Sequence, residues 1–201
     1  LVRQALKLEK ISKKKNLVIE NVFQNRFNPS IIQLKKAFER KKFGKIVTCS
    51  INLKWHRNQS YYEDGWHGSW LMDGGVINQQ AIHHLDVLNW ICGPIKRVIA
   101  SKSNIKNNLE AEDTMVVLVE FENGYTGTIE ASTAASEDIE AAISVFGTKG
   151  YAKISGVALN KIEKWSLINP KNLRNFKTKY SQKVKNGYGL GHLTLLKKLV
   201  Q

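Results

Sequence analysis

Thr114-Met115-Val116-Val117-Leu118-Val119-Glu120-Phe121-Glu122-Asn123-Gly124-Tyr125-Thr126-Gly127-Thr128-Ile129-Glu130-Ala131 reads as two strands joined by a tight turn. β-Branched and aromatic residues fill 114–121 and 125–131, and such side chains pack well on a pleated surface. Asn123-Gly124 between them is a hairpin signal, because both residues tolerate the positive φ of a two-residue turn. Further strands flank this pair. Arg97–Ser103, Ile139–Phe146 and Tyr151–Ser155 are alternating or β-branched runs, with a tight turn at Thr148-Lys149-Gly150 before the last. Lys45–Trp55 alternates as well, with Ile46, Thr48 and Ser50 on one side and Val47, Cys49, Ile51 and Leu53 on the other. Residues 157–185 are expected to add one or two edge strands.

Helical periods surround these strands. Asn28-Pro29 opens a helix, since Asn suits the N-cap and Pro the first turn. Ile31, Leu34 and Phe38 then recur at helical spacing until Gly44. The spacing of Ile77, Ala81, Leu85 and Leu88 predicts one helix over 76–92, ended by Gly93-Pro94. His192–Val200 reads as the start of another. Leu1, Ala5, Leu8 and Ile11 form a stripe over 1–15, and the apolar run Leu17–Phe23 then predicts a buried strand. The composite is an α+β domain: one large, mostly antiparallel sheet with helices packed on one face. A helix followed by a buried strand is the tail of a parallel α/β unit. Residues 1–24 are therefore expected to be the remnant of a neighbouring domain and 25–201 a second domain cut short at its C-terminal end.

Composition narrows the function classes. Hydrophobic residues make up 42% of the 201, enough for a sizeable core, and no run of about 18 apolar residues could span a membrane. Net charge is +14, yet it lies in the flanks: +5 over 1–15, +5 over 35–45 and +9 over 161–201, against −5 over 46–160. Lys outnumbers Arg by 25 to 6, whereas phosphate recognition favours the Arg fork. Solvated Lys faces explain this better than nucleic-acid binding, so neither a nucleic-acid nor a membrane partner is expected. Cys49 and Cys92 lack metal-site spacing and read as reduced core thiols of a cytoplasmic protein.

The densest polar cluster is Asn78-Gln79-Gln80-Ala81-Ile82-His83-His84-Leu85-Asp86. On one helix, Gln79 and His83 share a face and Gln80 and His84 the next. A general base must present an unbonded imidazole nitrogen to a substrate hydroxyl, and His83 is the candidate. Gly74-Gly75 before the helix allow close backbone approach, and the helix N-terminus favours an anionic or polar ligand. A metal site built from His83, His84 and Asp86 is not expected, because adjacent His diverge on a helix. The aromatic stretch 56–75, with Tyr61, Tyr62, Trp66, His67 and Trp70, is expected as a loop over the cleft, its aromatics stacking on a sugar or serving as packing.

Asp73-Gly74-Gly75 through His83-His84-Leu85-Asp86 resembles the signature helix of the glucose–fructose oxidoreductase / inositol dehydrogenase (Gfo/Idh/MocA) family. Phe23-Gln24-Asn25-Arg26-Phe27-Asn28-Pro29 resembles its crossover between domains. Trp66-His67-Gly68-Ser69-Trp70, Gly93-Pro94 and Phe146-Gly147-Thr148-Lys149-Gly150 also fit, nearest to the branch acting on nucleotide-linked sugars in polysaccharide synthesis. The resemblance implies that 1–24 close a Rossmann domain and that 25–201 are the substrate-binding and oligomerisation domain, with the fold of dihydrodipicolinate reductase C-terminal domains. It implies NAD or NADP as cofactor, bound by residues outside this chain, and a sugar or nucleotide-sugar substrate. It implies a homodimer or homotetramer through the sheet. His83 is the implied catalytic base; Arg26 and Asn28, just past the crossover strand, are expected to reach an anionic substrate group, a structural ion pair being the alternative for Arg26, and Gln79, Gln80 and His84 are the further expected substrate contacts. The family's acidic residue four before the His is Gln79 here, which leaves polarising and orienting to amides. The rival readings are a non-catalytic sugar-binding or scaffold protein on the same sheet, and a basic nucleic-acid binder.

Overall fold

The computed structural model describes residues 2–199. Its seven strands are β1 Ile46–His56, β2 Ile95–Ser103, β3 Thr114–Phe121, β4 Thr126–Ser132, β5 Ala134–Gly147, β6 Gly150–Ser155 and β7 Lys161–Trp165. They form one sheet in the order β2-β3-β4-β1-β5-β6-β7. Every pairing is antiparallel except β1 with β4, where Ser50 stands beside Thr128 and Leu53 beside Ala131. The α+β reading holds, and β3 has the bounds that its sequence predicts.

Helices α2 Pro29–Glu39 and α4 Ile82–Cys92 cover one face of the sheet. Ile31 and Leu34 from α2 and Val87, Leu88, Ile91 and Cys92 from α4 meet Cys49, Ile51, Val119, Phe121, Ile143, Val145 and Ile154 from the strands. Each large aliphatic chain so buried contributes about 1.5–3 kcal/mol. On β3 the alternation is direct: Val117, Val119 and Phe121 are buried, while Val116 and Leu118 are exposed on the opposite face. Ile99 is paired with Leu118 and shares that open face.

Two expectations change, and a third is met and added to. Leu17–Phe23 forms no strand, and Val18 is 79% exposed. A strand needs a hydrogen-bonding neighbour, and none of the seven described strands runs beside this segment. It follows α1 Val2–Lys15, whose apolar residues Leu6, Leu8 and Ile11 are also exposed. Next, 157–185 contains one edge strand, β7, and then a helix, α5 Pro170–Tyr180. The Asn169 side chain caps α5 by accepting from the Lys171 N–H, and Phe176 and Tyr180 turn back toward Trp165. Finally, 76–92 is two helices, α3 Gly75–Asn78 and α4, joined by a wide turn in which the Ala81 N–H reaches the Val76 carbonyl at 2.9 Å. The two pieces answer to different neighbours: α3 is tied to Glu112, and α4 packs on β1. The last helix, α6 Gly191–Leu199, packs on the 3₁₀ turn Gln24–Phe27. Gly191 lies so close to the Gln24 backbone that a Cβ has no room.

Truncating Ile51, which is 1% exposed on the central strand, is expected to cost about 2–5 kcal/mol of unfolding free energy. The Ile99→Ala change on the open face is expected to stay within about 0.5 kcal/mol. Urea denaturation of the two variants checks this contrast.

Candidate active site

His83 and His84 sit in the first turn of α4 and face opposite environments. His84 is only 2% exposed, its ring edge-on to Trp55 of β1 with centroids 5.9 Å apart. Both of its ring nitrogens are buried without a partner, and burial pulls its pKa down to about 3, with the nearby His83 adding to the effect. The structure therefore removes His84 from the expected substrate contacts, because no ligand reaches a ring sealed in the core. Adjacent residues on a helix lie about 100° apart, so a core-facing His84 turns His83 outward.

The His83 ring is half-buried, edge-on to Phe23 with centroids 6.2 Å apart. Its Nδ1 is buried without a partner, and no hydrogen bond to Nε2 is found among the described residues. Burial lowers its pKa first. The Asp86 charge opposes this, and His192 from α6 reinforces it. The imidazole is thus held neutral near pH 7, with a lone pair available, as a base requires. Asp86 does not orient it. The Asp86 carboxylate is taken by Arg26, whose Nε donates to Oδ2 at 2.7 Å and Nη2 to Oδ1 at 2.5 Å. That fork raises the Arg26 pKa, burial opposing it. The guanidinium also lies 5.5 Å from the centroids of both Phe23 and Trp90.

Of the other expected contacts, Asn28 is fully buried. Its Nδ2 donates to the Ala158 carbonyl at 2.5 Å, so it ties the crossover to the 156–160 turn rather than facing a ligand. The expectation that it meets substrate is corrected accordingly. It stands at the α2 N-cap position without a side-chain cap bond, for the same reason. Gln80 is buried and its Nε2 lies 3.5 Å from the Tyr61 hydroxyl. Gln79 is partly exposed, and its Nε2 lies 3.3 Å from His67 Nε2. The break between α3 and α4 means that Gln79 and His83 do not share one continuous helix face.

The paired glycines do what their residue type allows, though not for a ligand. Gly74 and Gly75 have φ of 79° and 82°, and a Cβ on Gly75 would come within 2.5 Å of the Glu112 carboxyl. The Glu112 carbonyl accepts from the Val76 N–H at 3.0 Å and its Oε1 from the Ile77 N–H at 3.5 Å. The α3 N-terminus expected to bind an anion is thus filled by the protein's own carboxylate. Burial raises the pKa of Glu112 and of Asp73. Sequence reasoning missed Glu112; its acidic character showed, but its pairing with residues 76 and 77 did not. Among the described residues no cluster of His, Cys, Asp and Glu could hold a metal, and no helix is long and apolar enough to cross a membrane.

The family model of the GFO/IDH/MocA C-terminal domain matches residues 31–153, and the chain belongs to that family. Among curated proteins it is 27% identical over 147 residues to the uncharacterized oxidoreductase YrbE of Bacillus subtilis, covering 70% of this chain and 41% of YrbE. It is 27% identical over 146 residues to the myo-inositol 2-dehydrogenase of Thermotoga maritima, covering 69% and 41%. Among solved structures, the WlbA dehydrogenase of C. violaceum, in complex with NADH and UDP-GlcNAcA, superposes with a TM-score of 0.83 at 31% identity, over 97% of this chain and 55% of that one. The WlbA dehydrogenase of Bordetella pertussis, with the same two ligands, gives 0.78 at 32%, over 85% and 51%. The chain spans about half the length of these relatives, or less.

His84 also makes the fold sensitive to acid. The buried ring stays neutral down to about pH 3, whereas an unfolded histidine takes up a proton below about 6.5. The unfolded state therefore binds more protons in this window, and stability falls as pH drops from about 6.5 towards about 3 on this account. His84→Leu is expected to gain on the parent as pH drops from 7 to 4.5 in urea denaturation. A difference that stays constant with pH would refute this.

Proposed function

We propose that this chain is the substrate-binding and oligomerising part of an NAD(P)-dependent oxidoreductase that oxidises a hydroxyl of a sugar or nucleotide sugar, with His83 as general base. The observation that carries the reading is the His83 ring: half-buried, without a hydrogen bond among the described residues, and kept toward its neutral form by burial. Family membership and the likeness to the two WlbA enzymes support the reaction class. Oxidation of a secondary alcohol needs a base for the hydroxyl proton. Nε2 of His83 accepts it while Nδ1 carries the ring's other proton. Burial keeps this imidazole neutral at pH values where a free one is protonated, so the base persists into mildly acidic solution. Gln79, on the turn before it, supplies an amide to the substrate in place of a carboxylate, while Gln80 is buried behind it beside the Tyr61 hydroxyl. Arg26, anchored by Asp86, faces an anionic substrate group.

A nicotinamide dinucleotide would take the hydride. The described residues do not fit its phosphates: the glycine pair before α3 is closed against Glu112, and in the Gly187-Tyr188-Gly189-Leu190-Gly191 stretch that leads into α6 the helix start at Gly191 is packed against the Gln24 backbone. This chain's share of the reaction is the proton side. A partner domain for the cofactor would meet the exposed apolar residues Leu17, Val18, Ile19 and Val22 just ahead of the crossover. The open sheet face, with Ile99, Val116 and Leu118 exposed, serves self-association into a dimer or tetramer.

In a full-length protein, His83→Ala is expected to lower kcat for UDP-GlcNAcA oxidation about 10²–10⁴-fold. The acid limb of the parent's pH–rate profile is expected below the 6.5 of free imidazole. The 201-residue chain alone is expected to show no turnover with added NAD. Unchanged kcat in the variant, or robust turnover by the chain alone, would overturn the reading. Sugar binding without turnover in the full-length protein favours the non-catalytic alternative.

A further inference from the structure

The aromatic loop between β1 and α3 contains a second imidazole, organised unlike the first. His67 Nδ1 lies 2.6 Å from Asp64 Oδ2, and the other Asp64 oxygen accepts from the backbone N–H groups of Trp66 at 3.2 Å and His67 at 3.1 Å. The ring is clasped between Trp66 and Tyr61, with centroids 3.6 and 4.2 Å away. Its far nitrogen, Nε2, meets Gln79 Nε2 at 3.3 Å.

We propose that Asp64 and His67 are positioning residues that hold the Gln79 amide so that its oxygen, and not its nitrogen, is offered to the sugar; the inference rests on the functional reading above. The chemistry runs in one direction. A carboxylate accepts only, so Nδ1 must carry the proton that faces Asp64. With that proton at Nδ1, a singly protonated ring has its lone pair at Nε2, and the Gln79 NH₂ group donates into it. The Gln79 oxygen makes no hydrogen bond among the described residues and is left to accept from a substrate hydroxyl. Gln79 stands where the family resemblance places a carboxylate, a group that can only accept. A free amide would present either end. The Asp64–His67 pair removes that ambiguity and restores acceptor character without a negative charge. The charged groups around the ring are Asp64 on its own loop and Asp73 before α3, whose titration senses His67, with Arg57 stacked 5.4 Å from Tyr61 behind it.

The test has two arms. In ¹⁵N spectra of the 201-residue chain at pH 8, where imidazoles are neutral, His67 is expected as the Nδ1-protonated tautomer, and Asp64→Ala to abolish that preference. In the full-length enzyme, His67→Phe keeps the stacking but loses Nε2, and is expected to raise KM for UDP-GlcNAcA about three- to tenfold with KM for the dinucleotide unchanged. His67→Gln, whose amide oxygen can take the place of Nε2, is expected to recover most of the loss; a fold defect would not be rescued in this way. An Nε2-protonated ring in the parent, a parental KM in His67→Phe, or no recovery in His67→Gln overturns the proposal. An enzyme that never oxidises UDP-GlcNAcA defeats the functional reading instead, and the tautomer in the parent and Asp64→Ala chains then decides the relay by itself.

Discussion

The placement of α4 on β1 governs the rest of the site. β1 lies at the centre of the sheet, with the parallel β4 on one side and the antiparallel β5 on the other. Its core-facing residues touch α4 at both ends: Cys49 meets Cys92 with sulfurs 3.0 Å apart, and Trp55 meets His84 edge-on. Two contacts that far apart fix both the axis and the rotation of the helix. The direction of His83 follows, because it is the residue before one of the anchors. A core histidine with no hydrogen-bond partner is an expensive anchor, and its cost is set by the same desolvation that leaves its neighbour neutral and useful.

The crossover turn joins this assembly through charge and ring contacts rather than through sheet pairing. Arg26 reaches Asp86 and Phe23 meets His83, while Gly191 brings α6 against Gln24. Residues 24–27 are thus held between α4 and α6, two helices whose near ends, Cys92 and Gly191, are far apart in sequence. The site is an assembly of short segments, each rigid because of what it packs on. The wide turn between α3 and α4 belongs to the same logic, since each piece follows its own partner.

Much of the fold was legible because its signals are local. The strands at 114–121 and 126–132 announced themselves through β-branched residues and Asn-Gly, and α2 through Asn-Pro and its period. The same Asn-Pro signal stands at Asn169-Pro170, followed by Leu173, Phe176 and Tyr180 at helical spacing; it marked α5 and was passed over in favour of edge strands. Leu17–Val22 misled because an apolar run says only that cover is wanted, not that a strand is available to pair with it. In the candidate site, His83 drew notice in the sequence through its amide-rich surroundings. The fork from Arg26 to Asp86 spans 60 positions and leaves no trace in spacing. The inward turn of His84 depends on Trp55, and the burial of Asn28 on the 156–160 turn, so tertiary packing alone decides them. Asp64-x-x-His67 was visible as an acid three before a histidine and was submerged in an aromatic loop.

The two thiols carry a practical consequence. Cys49 and Cys92 are both buried, and contact with Cys49 followed by burial pushes the Cys92 thiol far up from its ordinary value. The thiolate is the form that attacks an alkylating reagent, and both sulfurs are buried away from any reagent, so neither competes for a maleimide while the fold is intact. A cysteine introduced at Val18 or Ile99 is then a chemically unique handle, one beside the exposed apolar segment and one on the open sheet face. Fluorescent or spin probes attached there would report separately on what docks at each surface.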